Sequence, residues 1–294
     1  MRVLLTGASG FLGRYVLECL HQQGIEAVTL GRHMPDNAVT DFIEADLLVI
    51  PNFVSIVKES GATHLLHLAW YAEHGKYWTS PQNLRWLEAT TRLIEAFCDA
   101  GGQRVVVAGT CAEYDWSHGY CRENSTPLNP ATLYGTAKDA TRRLVMAVCA
   151  QQQVACAWGR VFLPFGTGES EQRLIPSLIE TFRGKRPPFG VNTLAYRDFL
   201  HASDVAEGFV TLLKNGESGV YNISSGQPVR LGDVVQELAQ LLNADPQPVL
   251  DLTVERSGEP VLLVGENLKL KTLGWRPMFS LLQGLERTVR EAQR

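Results

Sequence analysis

Tyr134 and Lys138 stand four residues apart in Tyr-Gly-Thr-Ala-Lys, a spacing that puts both side chains on one face of a helix. An ammonium beside a phenol stabilises the phenolate and lowers its pKa. Such a tyrosine can give or take a proton at a carbonyl or alcohol oxygen near neutral pH. Alone, the pair reads equally as a surface tyrosine with a solvated lysine one turn on. Its weight comes from a second motif near the start of the chain. The apolar run Val3 to Leu5 stops at Gly7, Gly10 and Gly13 follow, and a helical pattern begins at Arg14. A strand, a tight glycine turn and a helix start present backbone N–H groups that can hold a pyrophosphate. The ligand class is a dinucleotide, a nicotinamide cofactor above all, with Gly7, Ser9, Gly10, Phe11, Leu12 and Gly13 as expected contacts. The alternative is a structural turn between strand and helix with no cofactor. A third part of such a site is a hydroxyl aimed at the same substrate oxygen. The strand Val105 to Ala108 ends in Gly109-Thr110, and ligands of open parallel sheets bind beyond the carboxyl ends of strands. Thr110 therefore stands in the right place, either for that role or as a turn-capping threonine.

Strand and helix patterns alternate through the first half, as positioning these residues requires. Helices are expected over 14–23, 52–60, 83–100 and 133–151, and strands over 25–30, 41–46, 63–69, 104–108 and 154–161. Continuous apolar strands alternating with helices predict an α/β fold, a doubly wound parallel sheet covered on both faces. The second half is punctuated by Pro164, Gly166, Gly168, Pro187, Pro188 and Gly190. There, helices are expected over 174–183, 231–243 and 281–292, with a short strand and a helix within 199–213. The expected division is a dinucleotide-binding domain over 1–165 and a smaller, interleaved substrate-binding region over 166–294, with about 191–215 returning to the sheet.

Composition narrows the partners. The 294 residues are 45% hydrophobic and 20% charged, which suits a globular chain with a sizeable core. A net charge of −4 gives no general attraction to nucleic acid or to an anionic membrane. No apolar run approaches a membrane span. Cys19, Cys98, Cys111, Cys121, Cys149 and Cys156 form no CxxC pair and read as reduced thiols. The first residues enter a strand directly, which leaves no room for a signal peptide. A cytoplasmic location is expected.

Loop, strand-end hydroxyl and Tyr-x-x-x-Lys together resemble the extended short-chain dehydrogenase/reductases, within them the nucleotide-sugar epimerases, dehydratases and ketoreductases. Thr6 to Gly13 resembles the family's cofactor loop, and His67-Leu68-Ala69 the strand end that passes beside the cofactor. Asn83 resembles the active-site asparagine. Arg160 to Gly166 resembles the segment written RxFNxYG, and Arg197-Asp-Phe-Leu-His201 with Asp204-Val-Ala206 the RDFxHVxDVA stretch. Asn222-Ile with Gly226, and Leu273 to Pro277, resemble C-terminal signatures. The resemblance implies a Rossmann-type fold and a nucleotide-diphosphate sugar substrate. It implies hydride transfer between nicotinamide C4 and a sugar carbon, with Tyr134 moving the proton and Thr110 steadying the oxygen. Lys138 would hold the nicotinamide ribose and tune Tyr134, and Asp46, beside Leu47, would contact adenine. Arg197 is the first candidate for a diphosphate clamp and Arg173 a second, the alternative for each being a surface ion pair. A homodimer through the helices at 83–100 and 133–151 is implied as well.

The departures from the family pattern are informative. Dehydratases carry an acid pair directly after the catalytic threonine; here Cys111 and Ala112 stand there, and strand alternation points Glu113 elsewhere. Leu163 replaces the asparagine of RxFN. Trp70 stands where a small residue is usual, with Tyr71, Tyr77 and Trp78 close behind. These aromatics either wall a sugar or base pocket or pack the loop. The second strand ends at Gly31-Arg32-His33 without the acid that marks NAD, and Asp36 lies beyond Pro35. Arg32 suits a 2′-phosphate, so NADP(H) is favoured over NAD(H). Together these point to a ketoreductase of deoxysugar biosynthesis that reduces a nucleotide-linked 4-keto-6-deoxy sugar at C4. An NAD-dependent 4-epimerase is the alternative, and a non-catalytic cofactor-binding sensor or assembly protein a more distant one.

Overall fold

The computed structural model describes residues 1–35, 40–49, 52–215, 217–255 and 258–292. In chain order the first half runs β1 (Arg2–Thr6), α1 (Phe11–Gln22), β2 (Glu26–Gly31), β3 (Asp41–Glu44), α2 (Phe53–Ser60), β4 (His64–His67), α3 (Gln82–Asp99), β5 (Arg104–Thr110), β6 (Tyr120–Cys121), α4 (Leu133–Gln151) and β7 (Ala155–Val161). The second half runs β8 (Leu163–Phe165), α5 (Leu174–Phe182), β9 (Tyr196–Arg197), β10 (Phe199–His201), α6 (Ala202–Asn215), β11 (Gly219–Ile223), β12 (Val229–Arg230) and α7 (Leu231–Leu241). It closes with α8 (Gln247–Leu250), β13 (Leu262–Gly265), α9 (Leu268–Thr272) and α10 (Leu281–Glu291).

Among the described residues, seven strands form one parallel sheet in the order β11-β7-β5-β4-β1-β2-β3. Side chains alternate across each strand, so both faces must be apolar. Val3 and Leu5 of β1 and Val106 of β5 pack with Val16 and Leu20 of α1 and Phe209 and Leu212 of α6. Leu4, Val105 and Val107 face the other way, onto Phe53 of α2, Leu93 and Phe97 of α3 and Val145 of α4. Each of these fully buried aliphatic chains contributes about 1.5–3 kcal/mol relative to exposure. β1 is followed outward by β2 on one side and by β4 on the other. The strand order reverses there, and a crevice opens beyond the carboxyl ends.

Residues 191–215, expected to return to the sheet, contribute no strand to it. α6 packs against α1 because Val205, Phe209, Val210, Leu212 and Leu213 recur at helical spacing. β9 and β10 pair elsewhere, and the strand that rejoins the sheet is β11, parallel to β7. The second core joins Ile175 and Leu178 of α5, Val234 and Leu238 of α7, and Leu285 of α10. Asp198 ties this region down: its carboxylate accepts from Ser225 N and Oγ at 2.7 Å, Gly226 N at 3.0 Å and Gly265 N at 3.1 Å. No helix among the described residues is long and apolar enough to cross a membrane. All six cysteines are free.

Candidate active site

The glycine loop makes a cradle that side chains would fill. Gly7 has φ +75°, and a Cβ there would stand 2.8 Å from Ala69 N. A Cβ on Gly13 would overlap Gly7 O and lie 2.7 Å from Ala8 Cα. The loop therefore presses α1 against β1 and turns the helix N-terminus, capped by Gly10, toward the crevice. His67 locks the neighbouring strand end, bridging Thr6 Oγ1 at 2.8 Å and Thr90 Oγ1 at 2.9 Å. Burial pushes its imidazole down to about 3, so it is neutral. The cavity above these groups is about 800 Å³. Ser9, Phe11, Leu12, Arg32, Asp46, Leu47, Leu68 and Ala69 line it. Asp46 also accepts from Leu48 N at 3.0 Å. A dinucleotide fits this donor set and shape. Bound there, a nicotinamide cofactor would supply or accept a hydride. Asp36 lies outside the described residues.

Thr110, Tyr134 and Lys138 all line this cavity. The reason is close packing: a Cβ on Gly135 would overlap Ala112 O, so α4 lies directly on the turn that ends β5. The Thr110 side chain lies near the Tyr134 hydroxyl and favours its ionised form. Tyr134 is enclosed by Tyr77, with ring centroids 4.9 Å apart, and by Trp78 at 5.7 Å, both edge-on. Enclosure moves its pKa in the direction opposite to the sequence-based expectation. Burial pushes the phenol well above its usual range, Thr110 lowers it, and Tyr77, Cys111 and Glu113 raise it. Lys138 does not offset this, because its ammonium is turned aside. Nζ donates to Ala108 O at 2.9 Å and lies 3.9 Å from the Trp70 ring centroid. Burial pushes Lys138 itself down to about 7, with Glu113 opposing.

The aromatic residues wall the cavity: Trp70, Tyr77, Trp78, Trp86 and Trp116 all line it. Asn83 does not reach it. Asn83 is fully buried, its Oδ1 accepts from Trp70 Nε1 at 2.8 Å, and its Nδ2 donates to Tyr77 O and Ser80 O. With those bonds made, the side chain holds the aromatic wall in place rather than offering a free group to a ligand. Trp86, three residues on, faces the cavity instead. Arg197 borders the cavity but is engaged by Glu259 at 2.7 Å and by the carbonyls of Tyr196 and Pro260. Arg173 opens α5, lies 5.8 Å from the Tyr77 ring and borders a second cavity of about 680 Å³. The two cavities share Trp78, Leu163, Pro164, Arg173, Arg197 and Glu259. In the second cavity, burial pushes Glu169 up to about 8 against the pull of Arg173.

Trp86, Trp116, Phe162 and Glu259 also line the first cavity and were not singled out from sequence. Only Trp86 carried a signal, as an aromatic within two turns of a cavity-facing loop. Tyr71 hydrogen-bonds Glu73 at 2.8 Å and stands outside the wall.

Residues 3–224 match the model of the NAD dependent epimerase/dehydratase family. A dTDP-6-deoxy-L-talose 4-dehydrogenase (NAD(+)) of Aggregatibacter actinomycetemcomitans is 24% identical, covering 90% of this chain and 99% of that protein. A UDP-glucose 4-epimerase of Azospirillum brasilense is 26% identical, covering 98% and 90%. The solved structure of MoeE5 in complex with UDP-glucuronic acid and NAD superposes with a TM-score of 0.88 at 30% identity, covering 100% and 99%.

Proposed function

The chain belongs to the NAD-dependent epimerase/dehydratase family, extended short-chain dehydrogenase/reductases that act on nucleotide sugars with a nicotinamide cofactor, and from that premise we propose that it reduces a nucleotide-linked 4-keto-6-deoxy sugar at C4. One observation carries this reading. The proton-handling pair Thr110 and Tyr134 faces the cavity, while the positions able to supply the extra acid and base of a dehydration are Cys111 and Ala112. The neighbouring carboxylate, Glu113, is turned into an ion pair with Arg160 at 2.7 Å. The aromatic wall suits a hexose with an apolar C6. The talose 4-dehydrogenase relative supports chemistry at C4 of a 6-deoxy sugar.

On this reading Tyr134 delivers the proton to the C4 oxygen and Thr110 orients that oxygen by hydrogen bonding. Lys138 places its charge on the cofactor side of Tyr134. The second cavity takes the nucleotide, with Arg173 and Arg197 at the diphosphate. Arg197 must then exchange part of its Glu259 contact for phosphate. Arg32 at the end of β2 supports NADPH; the NAD of the talose dehydrogenase and MoeE5 relatives supports NADH. A homodimer through α3 and α4 goes with the family, and Leu84 and Leu144 are exposed on those helices. The free thiols suit a cytoplasmic location.

The second reading, an NAD-dependent 4-epimerase, is supported by the Azospirillum relative. One experiment separates the two. The purified protein is given dTDP-4-keto-6-deoxyglucose with NADPH or NADH, and separately UDP-glucose with no added cofactor. Oxidation of reduced cofactor with the keto sugar is the expected result. Conversion of UDP-glucose to UDP-galactose by protein that retains NAD would replace the reductase by the epimerase.

A further inference from the structure

Glu113 has no step in the chemistry above, yet it is fully buried one short turn behind Thr110. Its Oε1 accepts from Thr110 N and from Trp158 Nε1, both at 2.9 Å. Its Oε2 accepts from Arg160 Nε at 2.7 Å, and Arg142 Nε stands 3.9 Å away. Thr110 Oγ1 in turn accepts from Ala112 N at 3.2 Å, so the turn closes on itself as a capping box. The space for this arrangement is made by Gly109. Any Cβ there would overlap the Trp158 indole and come 2.7 Å from Glu113 Oε1.

An apolar side chain packed on Trp158 would fill the same place without desolvating a charge, which costs several kcal/mol per ion. The carboxylate is thus retained for what only it does. It fixes a backbone N–H at the strand end and puts a negative charge behind the site. We infer that Glu113 is a positioning residue: through the Thr110 backbone it sets where the Thr110 hydroxyl meets Tyr134. In support, its charge favours the protonated form of Lys138. The positioning role rests on the proposed roles of Thr110 and Tyr134; the charge effect does not.

The groups facing these residues are accounted for. Lys138 meets Trp70 and the neutral His67 from the β4 side, Ala108 O from β5, and the field of Glu113. Tyr134 meets Thr110, Cys111, Tyr77 and Trp78 and the field of Glu113. Glu113 meets Arg160 and Trp158 of β7 and Arg142 of α4, the last held by Asp139 at 2.7 Å.

The test is Glu113→Gln, which keeps the shape and removes the charge. In protein labelled with ¹³Cε-lysine, the Lys138 signal is assigned by its loss in Lys138→Met, and its titration midpoint is followed. The midpoint is expected to fall by at least about half a pH unit. With NADPH and dTDP-4-keto-6-deoxyglucose, kcat is expected to fall about tenfold or more, while the sugar KM changes less than about twofold. Trp158→Phe keeps both charges and removes one donor to Oε1. It is expected to lower kcat less and to leave the Lys138 midpoint in place. A Glu113→Gln protein with the wild-type midpoint and kcat would overturn the inference. Should that variant not fold, an unchanged kcat in Trp158→Phe would do the same. If the wild type reduces no keto sugar but the midpoint still falls, the reaction assignment fails and the electrostatic role of Glu113 stands.

Discussion

Replacing Lys138 by methionine is expected to stabilise the fold near neutral pH while removing activity, and the stabilisation should fade as pH rises. Lys138 is 3% exposed, and burial lowers its pKa from 10.5 to about 7. A lysine so shifted leaves the folded state short of a proton between those values, where the unfolded chain still binds one. The contribution of Lys138 to stability therefore rises with pH from about 7 toward about 10.5, by about 1.4 kcal/mol per unit. Below pH 7 both states carry the charge, and the fold bears the full cost of burying it. Methionine has similar length, no charge and no titration. It forfeits the hydrogen bond to Ala108 O, worth about 1–3 kcal/mol as a buried acceptor left unpaired, and the contact with Trp70, worth about 0.5–2 kcal/mol. A net gain of about 1 kcal/mol is expected at pH 6.5. Urea unfolding of both proteins between pH 6.5 and 9.5 reads the difference directly. Relative to Lys138→Met, the wild type should gain about 3 kcal/mol across that window. Parallel curves would refute the placement of a lysine without a carboxylate partner in this pocket.

Tyr134→Phe should lower kcat by about 10²- to 10⁴-fold and leave the binding of dTDP, read by calorimetry, within about twofold. Wild-type turnover would remove Tyr134 from proton transfer. Gly13→Ala forces a Cβ onto Gly7 O, and overpacking of this kind costs about 1–3 kcal/mol. NADPH affinity should fall at least about tenfold by fluorescence titration, and an unchanged Kd would mean the cofactor does not use this turn. Arg32→Ser should weaken NADPH about tenfold and leave NADH nearly unchanged; equal losses for both would place Arg32 away from a 2′-phosphate.

Local chemistry was the part of the fold most legible in the sequence. α4 runs over 133–151 as its pattern predicts, because Thr132 caps it, accepting from Gly135 N at 3.1 Å, and Ala137, Val145 and Cys149 are buried along it. The strands buried on both faces were legible for the same reason, as uninterrupted apolar runs. β11 was not, since a five-residue strand at a sheet edge looks like a loop until β7 supplies its partner. The two-residue strands β6, β9 and β12 exist only through long-range pairing. In the site, residue types announced the cradle and the Thr110–Tyr134–Lys138 group. What they did not announce was the competition for polar atoms. Asn83 is bound up by Trp70 and two carbonyls, Arg197 by Glu259, and Lys138 by Ala108. Glu113 was expected to point away from the site, and it does; the interlock with Gly109 and Trp158 depends on shapes brought together only by the fold.

The return of β11 to the sheet bears on how the chain is made. β7 is complete once residue 161 has been synthesised, but its outer partner ends at residue 223. A nascent chain must therefore carry an unpaired, apolar parallel edge while some sixty further residues emerge, and such edges recruit other chains. Within those residues, α6 can settle on α1 before β11 arrives and shield one face of the open sheet. A chain cut after residue 165 would keep the cofactor cradle and lose its protection from self-association. The cradle is thus no detachable module: the strand that closes its sheet edge and the helix that covers α1 come from the second half of the chain.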